Sequence, residues 1–66
     1  MGFTVKQARL YAGFTQREMA EKLGISRDTY RKIEQSPEGA TIAAAKKFSE
    51  VVGIPIDQIF FAKIST

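Results

Sequence analysis

The chain has 66 residues, a net charge of +3, and neither cysteine nor histidine. These absences exclude disulfides, thiolate metal sites and the commonest general base, so we expect no metal, no cofactor and no enzymatic activity, with only carboxylate chemistry left open. The length fits one domain over 1–66 with a small core, and the mildly basic balance of charge favours an anionic partner.

The first two predicted helices each begin at a threonine. Helix one is expected over 4–12 with Thr4 as its N-cap, and helix two over 16–23 with Thr15 as its N-cap. Glu18 lies three residues after Thr15, which is the spacing of a capping box. Helical spacing points an apolar stripe of helix one inward, formed by Val5, Ala8, and Leu10 or Tyr11.

A break in the helical spacing marks the most informative stretch of the chain. Gly24 can end one helix and turn the chain, and Ser26 can cap a third helix over 27–35. The apolar positions on either side of the break are Met19, Ala20, Leu23, Ile25, Tyr30 and Ile33. Two short helices joined by a tight glycine turn are typical of a helix-turn-helix, whose second helix enters the major groove of DNA.

The last third of the chain predicts a loop and two further helices. The segment 36–39 contains proline and glycine and should form a surface loop. Helix four is expected over 41–52, between a threonine cap and a glycine stop. Pro55 suits the first turn of a short fifth helix over 55–60, which leaves the tail, 61–66, unassigned. Since no strand pattern occurs, the sequence predicts an all-α, five-helix fold.

Several short motifs match a known family when taken together. They are Thr15-Gln16, Ala20, Leu23-Gly24-Ile25-Ser26, Ile33-Glu34, Val52-Gly53-Ile54 and Asp57-Gln58-Ile59-Phe60. This set resembles the Xre/Cro-type helix-turn-helix family, which includes the repressors and Cro proteins of lambdoid phages. The resemblance spans the chain from about Val5 to Phe60. It implies a compact five-helix, lambda-repressor-like domain that binds double-stranded DNA, usually as a dimer on a palindromic operator.

The resemblance also implies roles for residues outside the third helix. Gln16, which opens helix two, should contact a DNA phosphate and the start of the recognition helix, although it could also be a solvated polar residue. Arg9 and Glu34 should form a structural ion pair between helices one and three. The loop after helix three departs from the family, because Glu38 occupies a segment that often supplies basic residues or amides to phosphates.

The exposed start of helix three should contact the bases. Arg27 is placed for a bidentate contact with guanine, or more simply for a phosphate contact. Asp28 could accept a hydrogen bond from cytosine, orient Arg27, or stabilise the positive end of the helix. Arg31 and Lys32, one turn later, could reach phosphate or base, or could belong to a solvated charged face.

Three polar or aromatic residues of the same helix have weaker assignments. Ser26 and Thr29 could each donate to a phosphate, although Ser26 is better explained as the cap. Tyr30 occupies an apolar position, so core packing with its hydroxyl at the rim is favoured over contact with a thymine methyl group.

Aromatic and aliphatic residues near the C-terminus suggest a dimer. Phe60, Phe61 and Ile64 could complete the core, but exposed apolar surface on so small a domain also favours self-association. We therefore expect a homodimer through this region, at least on DNA.

Two functions fit these expectations. The first is a sequence-specific transcriptional regulator of bacterial or phage type. The alternative is an antitoxin-like module whose main partner is a protein and which also regulates its own operon. No apolar run approaches the roughly 18 residues of a membrane span and no secretory signal is visible, so we expect a soluble, cytoplasmic protein with no membrane partner.

Overall fold

The computed structural model describes residues 2–60. These residues contain four α-helices and two 3-10 turns. The helices are α1 (Val5–Ala12), α2 (Gln16–Leu23), α3 (Arg27–Gln35) and α4 (Ile42–Val52). The 3-10 turns are Pro37–Gly39 and Ile56–Gln58. No strand occurs among these residues, so the all-α class with a helix-turn-helix at α2 and α3 is confirmed.

The predicted fifth helix over 55–60 is wrong, because the chain there makes only a 3-10 turn. Pro55 has φ −54° and ψ 141°, so it precedes the turn in an extended conformation and does not begin a helix. The N–H groups of Ile59 and Phe60 both donate to the carbonyl of Ile56, at 3.1 and 2.9 Å. A single turn cannot offset the cost of helix nucleation, which explains why the segment is not an α-helix.

Each α-helix begins with a hydroxyl residue that caps it, as the sequence predicts. The four caps accept a hydrogen bond from the backbone N–H three residues later, and they are Thr4, Thr15, Ser26 and Thr41. Reciprocal capping boxes are complete at α1, through Gln7, and at α2, through Glu18. These local contacts fix where each helix starts and therefore which of its faces meets the core.

One core joins the helices of the described part of the chain. Its buried members are Val5, Ala8, Met19, Ala20, Tyr30, Ile33, Phe48, Val52, Ile54 and Ile59. On α1, the expected inward placement of Leu10 or Tyr11 is wrong, since these side chains are 57% and 72% exposed. Arg9 takes the inward position instead and is only 7% exposed. A charged group therefore lies where the spacing predicts an apolar one.

Candidate nucleic-acid interface

The helix α3 has an inner face in the core and an outer face in solvent. Tyr30 and Ile33 are buried against the rest of the molecule. The predicted DNA-contacting residues of α3 and its cap are all exposed, and they are Ser26, Arg27, Asp28, Thr29, Arg31 and Lys32. The outer face thus presents three cationic side chains and one carboxylate, a composition that suits an anionic partner.

The turn between α2 and α3 sets the position of this face. Gly24 has φ +71°, a left-handed conformation that glycine adopts without steric cost. The N–H of Ile25 donates to the carbonyl of Ala20 at 3.0 Å, which closes the end of α2. Ser26 then caps α3, and its hydroxyl donates to the hydroxyl of Thr29 at 2.9 Å.

Glu34 connects α3 to two other helices. Its Oε2 accepts from Arg9 Nε at 2.6 Å and from the Tyr30 hydroxyl at 2.6 Å. Its Oε1 accepts from Gln16 Nε2 at 3.0 Å. Arg9 also donates through Nη1 to the carbonyl of Phe14 at 2.9 Å, so its guanidinium joins α1, the connection before α2, and α3. The predicted partners Arg9 and Glu34 are thus in direct contact.

The surroundings of Glu34 favour its charged form. Burial alone would raise the pKa of Glu34, but hydrogen bonds from Arg9, Tyr30 and Gln16 outweigh it and lower the pKa. Burial alone would likewise lower the pKa of Arg9, yet the hydrogen bond and the charge of Glu34 raise it. Burial and the neighbouring carboxylate both raise the pKa of Tyr30, so its hydroxyl stays a hydrogen-bond donor at ordinary pH.

Gln16 is half-buried and contacts the end of α3 through Glu34, whereas the family resemblance implies a contact at the start of α3. Because a carboxylate can only accept, the amide nitrogen of Gln16 must be the atom that faces Glu34. The Thr15 side chain caps the N–H of Glu18 only, so the first N–H groups of α2 lie at an open helix end. That end attracts anions, and Gln16 is the first residue there.

A shallow depression brings the start of α2 next to the outer face of α3. Its lining residues are Arg9, Thr15, Gln16, Arg17, Arg27 and Arg31. Arg17 is an exposed cation of this lining that does not belong to the predicted DNA-contacting set. The signal was available, because Arg17 directly follows Gln16 in the first turn of α2, where a cation can meet the same anion as the helix end.

The Asp28 carboxylate forms an ion pair with Arg31 and none with Arg27, the residue that one alternative has it orient. The Asp28 carboxylate is 3.7 Å from Arg31 Nη1, one turn along α3, and both side chains are more than half exposed. Among the described residues, Arg27 takes part in no ion pair. Arg27 and Lys32 are therefore the outer-face cations that no carboxylate of the described residues engages, and Arg27 is the one at the first position of α3.

The predicted dimerisation residues fall only partly within the described chain. Phe60 is half-buried, with its ring edge-on to Phe48 at a centroid distance of 5.8 Å. It also borders a groove with Phe3 and Ile59. Phe61 and Ile64 lie outside the described residues.

Residues 2–60 contain neither a cluster of acidic side chains for a metal ion nor a membrane-spanning helix. No group of three or more Asp or Glu side chains there is placed to hold a metal ion. No helix in this part of the chain has the length and apolar character needed to cross a bilayer.

Comparison with known proteins places the fold in a family. Residues 5–59 match the model of a helix-turn-helix family. A protein of Methanocaldococcus jannaschii, named an uncharacterized HTH-type transcriptional regulator, is 34% identical over 56 residues, which cover 85% of each chain. No solved structure matches the chain. Because the family match covers all four α-helices, the chain belongs to the helix-turn-helix family of the Xre/Cro type.

Proposed function

We propose that this DNA-binding helix-turn-helix protein is a sequence-specific transcriptional regulator of bacterial or phage type, which binds a palindromic operator through the major groove. The observation that carries the proposal is the division of α3, with Tyr30 and Ile33 buried and a cationic outer face in solvent. The name of the Methanocaldococcus jannaschii relative is consistent with regulation of transcription. Since duplex DNA is the proposed partner, we expect the protein to act in the cytoplasm.

Arg27 is the residue that we assign to base recognition. It stands at the first position of α3, where side chains reach base edges, and it has no carboxylate partner among the described residues. A bidentate contact with guanine O6 and N7 gives about 1–3 kcal/mol of discrimination between bases. Arg31 and Lys32, one turn later, then contact bases or phosphates at the edge of the site.

Phosphate contacts are assigned to the start of α2. Gln16 and Arg17 lie on the depression that separates this helix end from α3. Open N–H groups at a helix end, an amide and a guanidinium together form an anion site. The loop on the other side of α3 contributes the exposed carboxylate of Glu38 instead, so we expect side-chain phosphate contacts to concentrate on the α2 side.

We assign operator binding to a homodimer. Two copies of α3 about one helical turn of DNA apart would match the two halves of a palindrome and obstruct or recruit polymerase. The region around Phe60 is the candidate contact, because Phe60 is only partly buried and borders a groove with Phe3 and Ile59.

Selection of binding sites from random duplex DNA, at low and at physiological salt, tests the proposal. The expected result is a palindrome whose half-sites contain guanine and lie about one turn apart. Arg27→Ala should relax the preference at that guanine, whereas Lys47→Ala, which removes an exposed cation from α4, should leave the motif unchanged.

Two results would contradict the proposal. Binding that occurs only at low salt and selects no motif would indicate attraction to phosphates without recognition of sequence. In that case the antitoxin-like alternative, in which a protein is the main partner, would become the better explanation. An equal loss of affinity for every sequence in Arg27→Ala would reassign Arg27 to a phosphate contact.

A further inference from the structure

The two oxygens of Glu34 have different sets of donors. Oε2 accepts from Arg9 and from the Tyr30 hydroxyl, each at 2.6 Å, whereas Oε1 accepts from Gln16 Nε2 at 3.0 Å. Two short contacts on Oε2 fix the rotation of the carboxylate about its terminal bond. Oε1 is consequently held at one place in front of the Gln16 amide.

Tyr30 is itself immobilised by its surroundings. Its side chain is completely buried, and its ring stacks on Phe48 with centroids 6.4 Å apart and an interplanar angle of 23°. The hydroxyl therefore reaches Glu34 from a rigid base in the core. Arg9, the other donor to Oε2, shares its guanidinium with the carbonyl of Phe14.

The fixed carboxylate of Glu34 orients the amide of Gln16, which lines the surface depression. One hydrogen of its amide nitrogen is engaged by Glu34, which leaves the second hydrogen for another acceptor. The side chain also lines the depression that includes Arg17 and Arg27. An amide held in this way presents a preoriented donor to an anion in the depression.

On this basis, and resting on the proposed DNA-binding function, we propose that Tyr30 is a positioning residue for DNA: through Glu34, its hydroxyl orients the Gln16 amide that donates to a phosphate. Tyr30 contacts no DNA in this arrangement. A freely rotating Gln16 side chain would lose rotamer freedom on binding DNA. Because the Tyr30 hydroxyl already orders this side chain through Glu34 in the free protein, the entropy cost of binding is smaller.

The first test uses the free protein and needs no DNA. Tyr30→Phe keeps the buried ring and removes only the hydroxyl. The two side-chain amide protons of Gln16 should differ widely in NMR chemical shift and exchange slowly in the wild type, and should move towards the values of a solvated glutamine in Tyr30→Phe. Tyr11→Phe, which alters an exposed tyrosine, is the matched control and should change neither signal. Unchanged Gln16 signals in Tyr30→Phe would overturn the inference.

The second test measures affinity for the selected operator in a double-mutant cycle. Tyr30→Phe should weaken binding about threefold to tenfold, the worth of one hydrogen bond, and Gln16→Ala by at least as much. The two losses should not multiply, so the double variant should bind like Gln16→Ala alone. Tyr11→Phe should bind like the wild type.

The outcomes separate the two proposals. If losses from Tyr30→Phe and Gln16→Ala multiply, or if Tyr30→Phe binds normally while Gln16→Ala does not, the positioning role is overturned and the regulator remains. If the wild type binds no duplex DNA at either salt concentration, the proposed function fails and the phosphate contact fails with it. The amide signals of the free protein then show whether the link between Tyr30 and Gln16 exists independently of DNA.

Discussion

Arg9 Nε and Glu34 Oε2 lie 2.6 Å apart although 25 positions separate the two residues in the chain. Both side chains are only 8% exposed. The pair joins α1 to the recognition helix at a point where water is largely excluded. The attraction between the two charges therefore compensates for the hydration that each of them loses on burial.

Removing either partner should destabilise the fold strongly. Arg9→Ala and Glu34→Ala each leave a desolvated charge without its partner, which costs about 3 kcal/mol or more in the free energy of unfolding. For a domain of this size each kcal/mol corresponds to roughly 4–8 °C in melting temperature. Urea and thermal unfolding of the two variants and of the double variant measure the loss and the coupling between the sites.

The exposed pair of Arg17 and Glu21 is a matched control for this experiment. Its atoms lie 3.9 Å apart, one turn along α2, with side chains 78% and 71% exposed. Arg17→Ala should change the free energy of unfolding by no more than about 0.5 kcal/mol. Equal stability of Arg9→Ala and Arg17→Ala would show that the inner pair does not hold α1 to α3.

Acid should remove the contribution of Glu34 to stability. The pKa of Glu34 in the folded chain lies below its ordinary value of 4.5, so between these two pKa values the unfolded chain binds more protons. The stabilisation is complete above the ordinary value and is lost as the pH falls through the folded one. Glu34→Gln should therefore be much less stable than the wild type at about pH 7, and the difference should shrink steadily on acidification below about pH 4.5.

A second carboxylate serves as a check on that measurement. Hydrogen bonds from Thr15, chiefly from its backbone N–H, lower the pKa of Glu18, so the same acid range also weakens the capping box of α2. Glu34→Gln should retain this part of the pH dependence, because it leaves Glu18 unchanged. If the difference in the free energy of unfolding between the wild type and Glu34→Gln stays constant down to about pH 3, the assigned role of Glu34 is contradicted.

A side chain at Gly24, in the turn that orients α3, should lower the free energy of unfolding. Gly24 has φ +71° with nothing within 4 Å of an added Cβ, so Gly24→Ala suffers from backbone conformation alone, at about 1–2 kcal/mol. Gly39 also has open space around it but no positive φ, so Gly39→Ala should be close to neutral. Chemical denaturation of both variants tests the contrast, and similar losses at both positions would refute it.

Asp28 should restrain Arg31 on the outer face of α3, which we propose contacts DNA. Asp28→Asn releases a guanidinium 3.7 Å away and removes a negative charge, so affinity for unrelated duplex DNA should rise severalfold while discrimination in favour of the operator falls. The loss of stability should stay below about 1 kcal/mol, since the pair is exposed. Asp57→Asn removes the same charge from an exposed position outside α3 and should change neither affinity nor discrimination. An equal rise in affinity for operator and unrelated DNA would instead indicate that Asp28 only stabilises the positive end of α3.

The first four helices could be predicted closely because their ends depend on local chemistry. A hydroxyl cap and a following helical stripe determine each start, and these signals lie within a few residues of one another. The predicted exposure of Arg27, Arg31 and Lys32 follows from the same spacing. Whether these side chains contact bases or phosphates stays a prediction, because it depends on a partner outside the chain.

The incorrect expectations concern features that depend on distant residues. Leu10 and Tyr11 are exposed because Arg9 takes the inward position, which requires a carboxylate on α3 that helical periodicity cannot reveal. The helix expected after Pro55 fails because one turn is too short to propagate. The link from Gln16 to Glu34 joins two elements through side chains, and no local signal in the sequence encodes it.

Among the described residues, the side chains that attach α3 to the core lie on its inner side: Tyr30, Ile33 and Glu34. The side chains of Arg27 and Lys32 make no hydrogen bond or ion pair that holds the helix in place among the described residues. Substitutions of these two side chains should therefore cost little in the free energy of unfolding. On the proposed assignment of base recognition to the outer face, the scaffold and the sequence preference are separable, and exchange of a few surface residues should change the operator while the architecture stays the same.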